Sequence, residues 1–154
     1  MSENRRVWLA RLPEMRFAYF ELDGEIGAVP QLWERLNAWR LANRPVVGRV
    51  DIAQVGWLLN PTADDPDQAQ YRACLPVRSD YEATGDVRTT FFPGGLFAYC
   101  AADDFDEVES AFEQVERWLE EQGGWTIKSA FEVYRYHFNL EQHPADCGFH
   151  IERA

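Results

Sequence analysis

The chain has 154 residues and a formal net charge of −11 at pH 7, and its length fits one domain or two closely packed halves. Binding to phosphate backbones needs basic patches, so the acidic balance argues against direct nucleic-acid contact and favours cationic ligands or basic partner surfaces. No stretch has the length of a membrane span, and Met1–Leu12 lacks the apolar run of a signal peptide. A cytoplasmic location without a membrane partner is therefore expected.

The first half of the sequence predicts four strands and one helix. Pro13 interrupts an apolar N-terminal run, and Asp23-Gly24 marks a turn. Apolar residues at helical spacing follow Val29-Pro30, and Pro45 ends that pattern. The predicted strands are Val7–Leu12, Arg16–Leu22, Asp51–Leu59 and Tyr71–Val77, with an acidic loop at Thr62–Gln68.

The second half repeats this order. Asp104 and Glu107 have the spacing of a capping box before an amphipathic helix, which Gly123-Gly124 should end. Apolar residues recur along this helix at the spacing of one face. The predicted strands are Thr89–Phe92, Leu96–Ala101, Phe131–Phe138 and Cys147–Glu152.

Similar short strings in the two halves favour an internal duplication. Arg16–Tyr19 matches Leu96–Tyr99, and Trp33–Leu36 matches Phe112–Val115 with a one-residue gap. We therefore predict an α+β fold made of two β-α-β-β modules, about residues 7–80 and 86–154, within a single domain that spans 1–154. The modules should share an antiparallel sheet, a pseudo-two-fold axis and a central groove.

Alternation along the strands predicts the walls of this groove. The all-apolar side of the second strand suits the helix, so the mixed side is assigned to the groove. The eight predicted ligand-binding residues are Glu132, Tyr134, Tyr136, Trp57, Phe17, Tyr19, Phe97 and Tyr99. A carboxylate beside aromatic rings can neutralise a cation while the rings stack on its body. The alternative is an ordinary half-exposed strand with Glu132 in water.

Several strings resemble a known family, the GyrI-like proteins. Phe131–Tyr134 is similar to that family's FEVY stretch, and Gly94–Tyr99 to its GG-x-[YF]-A stretch. Tyr71–Val77 looks like its R-x-C-x-P-V strand, and Trp57–Pro61 stands where the family has an aromatic strand that ends in Asn-Pro. These matches follow the family's order from about Val7 to Glu152.

The resemblance implies two β-α-β-β modules around a groove that binds lipophilic, often cationic molecules, with Glu132 as the acid that meets the ligand's charge. Related domains are the effector-binding parts of transcription regulators, so a regulator protein or DNA gyrase would be a possible partner. Some members hydrolyse small electrophiles. The sequence leaves no room for a helix-turn-helix before Val7, so a stand-alone form is expected, and Leu58 and Leu59 replace a further aromatic and an acid.

Other chemistry finds less support in the sequence. His143, Cys147 and His150 could be imagined around a metal, but alternation puts Cys147 and His150 on opposite faces and no fourth ligand is evident. No nucleophile elbow or phosphate loop is present. No cofactor and no metal are expected. The one enzymatic alternative uses Glu132 and Tyr134 as an acid/base pair, and a binding protein is preferred over an enzyme.

Overall fold

The computed structural model describes residues 6–23, 29–43, 52–60, 70–134 and 145–154. These segments contain one eight-stranded antiparallel sheet and two α-helices. The bounds are β1 Trp8–Leu12, β2 Met15–Asp23, α1 Val29–Ala42, β3 Gln54–Leu58, β4 Gln70–Val77, β5 Arg88–Phe92, β6 Gly95–Ala102, α2 Val108–Gln122, β7 Trp125–Tyr134 and β8 Ala145–Arg153. The predicted α+β class with an antiparallel sheet is confirmed.

Each predicted strand has a counterpart, and the largest difference lies in β7. This strand begins at Trp125 rather than Phe131, because Gly123 turns the chain out of α2 with a φ of 66° and Trp125 already pairs with Arg153 of β8. The predicted continuation to Phe138 and the acidic loop Thr62–Gln68 lie outside the described residues.

The predicted capping box of Asp104 and Glu107 does not form, because Glu107 is itself the N-cap residue of α2 and makes no side-chain cap hydrogen bond. The Asp104 carboxylate accepts a hydrogen bond from the Asp106 amide, and the Glu107 carboxylate accepts one from the Asp103 amide. These bonds surround a 3-10 turn, Phe105–Glu107, which leads into α2. The two carboxylates therefore satisfy backbone amides of the turn that precedes α2.

The sheet is symmetric in its strand order. The strands lie in the order β1-β6-β8-β7-β3-β4-β2-β5. The order β6-β8-β7 in one half therefore mirrors β2-β4-β3 in the other, with β7 and β3 as the central pair. Five residue pairs join these two central strands, and the middle pair is Gly56 opposite Glu132. Each half thus follows the order strand, helix, strand, strand, and the two halves meet at this residue pair.

A two-stranded ribbon closes the sheet on itself. Leu12 of β1 lies opposite Gly95 of β6, and Met15 of β2 lies opposite Phe92 of β5, in one continuous antiparallel register. The short connections between β1 and β2 and between β5 and β6 therefore lie opposite each other. β1 and β2 together form one long bent strand, and β5 and β6 form its antiparallel partner. Because this ribbon joins both ends of the strand order, the sheet curls and encloses one of its faces.

The two faces of the sheet carry separate hydrophobic clusters. On the helix face, Leu36 of α1 and Val115 of α2 pack with strand residues such as Leu75. On the inner face, Phe17, Phe92 and Phe131 are almost completely buried although no helix residue belongs to their cluster. The curvature of the sheet, rather than a helix, covers this second core. None of the helices in the described segments has the length and apolarity that crossing a membrane requires.

Candidate functional site

A cavity of about 370 Å³ opens on the helix face above the central strands. The first turn of α1 and Phe112 of α2 form its sides, and β3, β4 and β7 form its floor. Its walls are predominantly apolar or aromatic, and Glu132 is the one charged residue among the lining residues that the structure describes. The lining consists of Val29, Pro30, Trp33, Gly56, Leu58, Tyr71, Phe112, Ala130, Glu132 and Tyr134.

A chain of hydrogen bonds leads from α1 to the carboxylate. The Trp33 indole N–H donates to the Tyr71 hydroxyl over 3.1 Å, and the Tyr71 O–H donates to Glu132 Oε1 over 2.7 Å. Tyr134 also donates to Glu132. The Trp33 ring meets the Tyr71 and Tyr134 rings edge-on, with centroid distances of 6.2 and 5.8 Å. Three aromatic side chains therefore fix the carboxylate from two sides.

Gly56 leaves room for this arrangement. It pairs with Glu132 across the central strands, and a Cβ atom at this position would collide with the Tyr71 hydroxyl and with Glu132 Oε1. A glycine within a strand contributes no side-chain packing and often marks a close approach of other groups. Here the missing side chain is what allows the tyrosine and the carboxylate to meet over the strand.

Burial changes the acid–base properties of the site. It raises the pKa of the Glu132 carboxyl above its ordinary value of 4.5, and hydrogen bonds from Tyr71 and Tyr134 offset part of that rise. Burial and the neighbouring Glu132 charge raise the pKa of both tyrosines above 10.0. Both hydroxyls therefore keep their protons at neutral pH and act as donors to the carboxylate.

The described part of the chain supplies no cation to neutralise Glu132. The ion pairs there join other residues, such as Arg72 with Glu21 at 2.8 Å on the inner face. Buried polar groups normally have partners, and a buried carboxylate without a cation is costly. A positively charged ligand would complete this site electrostatically.

The residues considered for a metal site do not converge. Cys147 belongs to the helix-face cluster, whereas His150 contacts the Phe92 and Phe131 rings at centroid distances of 5.3 and 6.5 Å. His143 lies outside the described residues. Within the described segments, no group of three or more His, Cys, Asp or Glu side chains could hold a metal ion. The three cysteines lie in these segments, are buried and form no disulfide bond.

The structure brings only part of the predicted groove together. Glu132 and Tyr134 line the cavity, and Tyr136 lies outside the described residues. The other five predicted residues belong to the inner-face cluster instead: Phe17, Tyr19, Trp57, Phe97 and Tyr99.

The prediction that these residues share one recess with Glu132 is wrong because the helices and the cavity lie on the same side of the sheet. Glu132 aligns with Gly56, whereas Trp57 aligns with Phe131 and with Arg72. Because side chains alternate along a strand, Trp57 lies on the opposite face of the sheet from Glu132. There it packs on Phe131 at a centroid distance of 5.3 Å, and the Tyr19 ring stacks against the Arg72 guanidinium.

Sequence reasoning missed Tyr71, Trp33 and Gly56 as site residues. Trp33 is buried in the helix-face cluster, and its indole N–H donates to the Tyr71 hydroxyl at the site. The one usable signal was Gly56, an isolated glycine inside an apolar strand, which indicates a close approach of other groups.

The fold and the cavity together define a small-molecule-binding domain. The sequence model of the GyrI-like small molecule binding domain matches residues 9–145, and the chain belongs to this family. No curated protein sequence matches significantly.

Solved structures share the fold at low sequence identity. The EcmrR C-terminal domain matches with a TM-score of 0.81 and 12% identity over 98% of this chain and 99% of that one. SAV2435 bound to tetraphenylphosphonium matches with a TM-score of 0.66 and 10% identity, over 96% of this chain and 94% of that one. A hydrolase from Listeria innocua matches with a TM-score of 0.59 and 14% identity, over 96% of this chain and 92% of that one. At these identities the likeness establishes the fold alone.

Proposed function

We propose that this protein binds amphipathic, lipophilic cations in the cavity on the helix face, with Glu132 as the counter-charge. The observation that carries the proposal is a partly buried carboxylate, held by two tyrosines, at the floor of an apolar cavity without a cation among the described residues. Aromatic rings around one acid suit a delocalised or bulky positive charge. The tetraphenylphosphonium bound to SAV2435 is a ligand of this chemistry.

The cavity volume agrees with a ligand of moderate size. About 370 Å³ falls within the range of small-molecule sites, which is on the order of 300–1,000 Å³. Apolar parts of the ligand would contact Val29, Pro30 and Leu58, whereas the cationic centre would lie near Glu132. Such a ligand gains from apolar burial and from ion pairing at the same site.

Titration with tetraphenylphosphonium tests the proposal. Trp33 lines the cavity, so binding should quench tryptophan fluorescence. Replacing Glu132 with Gln keeps the shape but removes the charge. We expect the dissociation constant to rise about tenfold or more, because losing a close counter-charge costs roughly 1.4 kcal/mol or more.

Glu152→Gln is the matched control, because Glu152 is exposed and pairs with Lys128 at 3.9 Å. This variant removes the same formal charge far from the cavity and should leave the affinity unchanged. Equal affinity in the wild type and in Glu132→Gln would contradict the proposal.

A second candidate is hydrolysis of a small electrophile. It is supported by the Tyr71–Glu132 hydrogen bond and by the second tyrosine beside the carboxylate, since such groups can hold and move protons. Product formation from candidate electrophiles, followed by mass spectrometry, should then disappear in Glu132→Ala. Turnover equal to that of the variant would exclude this candidate. Binding to DNA gyrase stays a prediction from the family resemblance.

A further inference from the structure

A second cavity, of about 410 Å³, lies where the end of β1, the start of β6, the start of β7 and the end of β8 meet. Its described lining residues are all different from those of the cavity beside Glu132, and the proposed function does not involve it. We call it the arginine cavity, because Arg11 of β1 and Arg153 of β8 line it. The other side chains that matter here are Leu96, Trp125, His150 and Glu152.

The strand register brings the two arginines onto one side of the sheet. Arg11 lies opposite Leu96, and Leu96 lies opposite Ile151, which is two residues before Arg153 in β8. Residues that lie opposite each other share a face, and so do residues two apart in one strand. With a strand spacing of about 4.8 Å and a rise of about 3.4 Å per residue, the two arginine Cα atoms are roughly 12 Å apart. Two long arginine side chains can therefore reach one small anion between them.

The charge of this lining is positive. Within the described segments neither arginine forms an ion pair, and Arg153 lies over the Trp125 ring at 4.9 Å from its centroid. Glu152 is the one acid of the described lining, and it pairs with Lys128 at 3.9 Å. No acidic residue of α2 is among the described lining residues. A local positive charge in a chain of net charge −11 favours an anion at this place.

The rest of the lining suits a flat ring. Leu96 and Trp125 are partly buried and pack against the helix-face cluster. Gly95 has no side chain, and the His150 ring occupies the space that a side chain there would need. Burial lowers the pKa of His150 below 6.5, so its imidazole is uncharged at neutral pH. Aromatic and aliphatic groups beside two guanidinium groups thus offer contact area to the apolar part of a ligand.

We propose that the arginine cavity is a second binding site and that it takes small aromatic phosphate monoesters. A phosphate monoester carries about −1.5 to −2 charges at neutral pH, which two guanidinium groups can balance. Arg11 and Arg153 bind its oxygens through their N–H groups, and the ring of the ligand contacts Trp125 and Leu96. This site is separate from Glu132, so it adds to the proposed function and does not depend on it.

Nuclear magnetic resonance titrations of the full chain test the proposal with phenyl phosphate as the probe. The indole N–H signals of Trp125 and Trp33 report on the arginine cavity and on the cavity beside Glu132, and Trp125→Phe and Trp33→Phe assign them. Phenyl phosphate should shift the Trp125 signal and leave the Trp33 signal in place. Inorganic phosphate lacks the ring and benzyl alcohol lacks the charge, so each should bind at least about fivefold more weakly.

Charge-removing variants show whether the arginines hold the phosphate. Arg11→Gln and Arg153→Gln should each raise the dissociation constant of phenyl phosphate about threefold, and the double variant should raise it about tenfold. Both side chains are exposed, so the variants should fold normally. Arg117→Gln is the matched control, because Arg117 is exposed on α2 and is not a lining residue. It removes the same charge and should leave the affinity unchanged.

Each result has a defined meaning. An unmoved Trp125 signal, or equal affinity in the wild type and the double variant, would overturn the proposal. Inorganic phosphate that binds as tightly as phenyl phosphate would overturn it as well, because the ring would then contribute nothing. Glu132→Gln should bind phenyl phosphate like the wild type. A chain that binds phenyl phosphate but not tetraphenylphosphonium would therefore contradict the proposed function and leave this site standing.

Discussion

Glu132 and Gly56 lie opposite each other in the middle of the central strand pair, and each contributes a different property to the site. The carboxylate supplies charge, whereas the glycine supplies space for the hydroxyl that holds the charge in place. A larger residue at position 56 would force the Tyr71 ring or the carboxylate to move. Close-packed interiors resist such shifts, and overpacking costs typically about 1–3 kcal/mol.

Gly56→Ala should therefore weaken cation binding about tenfold or more and lower the free energy of unfolding by about 1–3 kcal/mol. Calorimetric titration and urea unfolding would measure the two effects. Gly85→Ala is the matched control. Gly85 has a φ of 74° and nothing within 4 Å of an added Cβ, so this change should lower stability but leave the affinity intact. Normal affinity in Gly56→Ala would show that this space is not needed.

Affinity for a permanent cation should depend on pH through Glu132. The ligand does not titrate, so binding is strong only while the carboxylate is ionised, and it should fall as the pH drops through the Glu132 pKa. Because burial raises that pKa, the loss should begin above the range of an ordinary glutamate. Fluorescence titrations with tetraphenylphosphonium between pH 4 and 8 would follow the change, and Glu132→Gln should show a flat profile over the same range.

The same raised pKa has a consequence for stability without ligand. The folded state binds the Glu132 proton more tightly than the unfolded chain, so this residue's contribution to stability falls as the pH rises through the window between the two pKa values. Burial therefore makes the charged form of Glu132 more costly in the folded protein than in the unfolded chain.

At the scale of elements, α1 is tied to the site by Trp33. This side chain is buried between Tyr71 of β4 and Tyr134 of β7, so one residue connects the helix with strands from both halves. The position of the helix and the orientation of the Tyr71 proton are consequently coupled.

Trp33→Phe keeps an aromatic ring but removes the donor to Tyr71. We expect a loss of about 1–2 kcal/mol in unfolding free energy, together with an upward shift of the pH midpoint of cation binding, because Tyr71 becomes a weaker donor to Glu132. Trp39→Phe is the control on the same helix, since Trp39 packs on Tyr81. A stability loss in Trp33→Phe without any shift of the pH midpoint would show that Trp33 contributes packing alone and does not affect the Glu132 pKa.

The elements themselves could be predicted from the sequence because their signals are local. Gly123 ended α2 as expected, and the alternation of Phe131, Glu132 and Val133 correctly separated their faces. The side of the sheet that carries the cavity could not be predicted. That choice depends on the register of β3 against β7 and on the closure of the ribbon, both of which join residues far apart in the chain. The five aromatic residues assigned to the wrong face follow from this single unknown.

At the scale of the whole molecule, both faces of the sheet carry a hydrophobic cluster, and the cavity beside Glu132 opens on the helix face. Equivalent residues of the two halves, such as Phe17 and Phe97, are both buried in the inner cluster, which agrees with the proposed duplication of modules at about 7–80 and 86–154. The inner core holds the closed sheet together, whereas the helix face carries the cavity.

Phe131→Ala tests this division. The ring is fully buried on the inner face and contacts Trp57, Phe92 and Phe97, so its removal should lower the unfolding free energy by about 3–5 kcal/mol. Cation affinity, measured where the variant is still folded, should stay within about threefold of the wild type. Leu41→Ala, at a half-exposed position on α1, should change neither quantity by much. A large affinity loss in folded Phe131→Ala would show that the inner core also shapes the cavity.

The residue pair at the centre of the sheet, Gly56 and Glu132, makes the two ends of the cavity chemically different. Two like halves with an acid in each would accept a guest molecule in either of two equivalent poses. Here the acid belongs to β7 and its counterpart on β3 is a glycine, so among the described lining residues one pose places the positive head beside a negative charge. An elongated amphiphile with its charged head at Glu132 would therefore take one orientation, with its tail along apolar lining residues such as Val29 and Pro30.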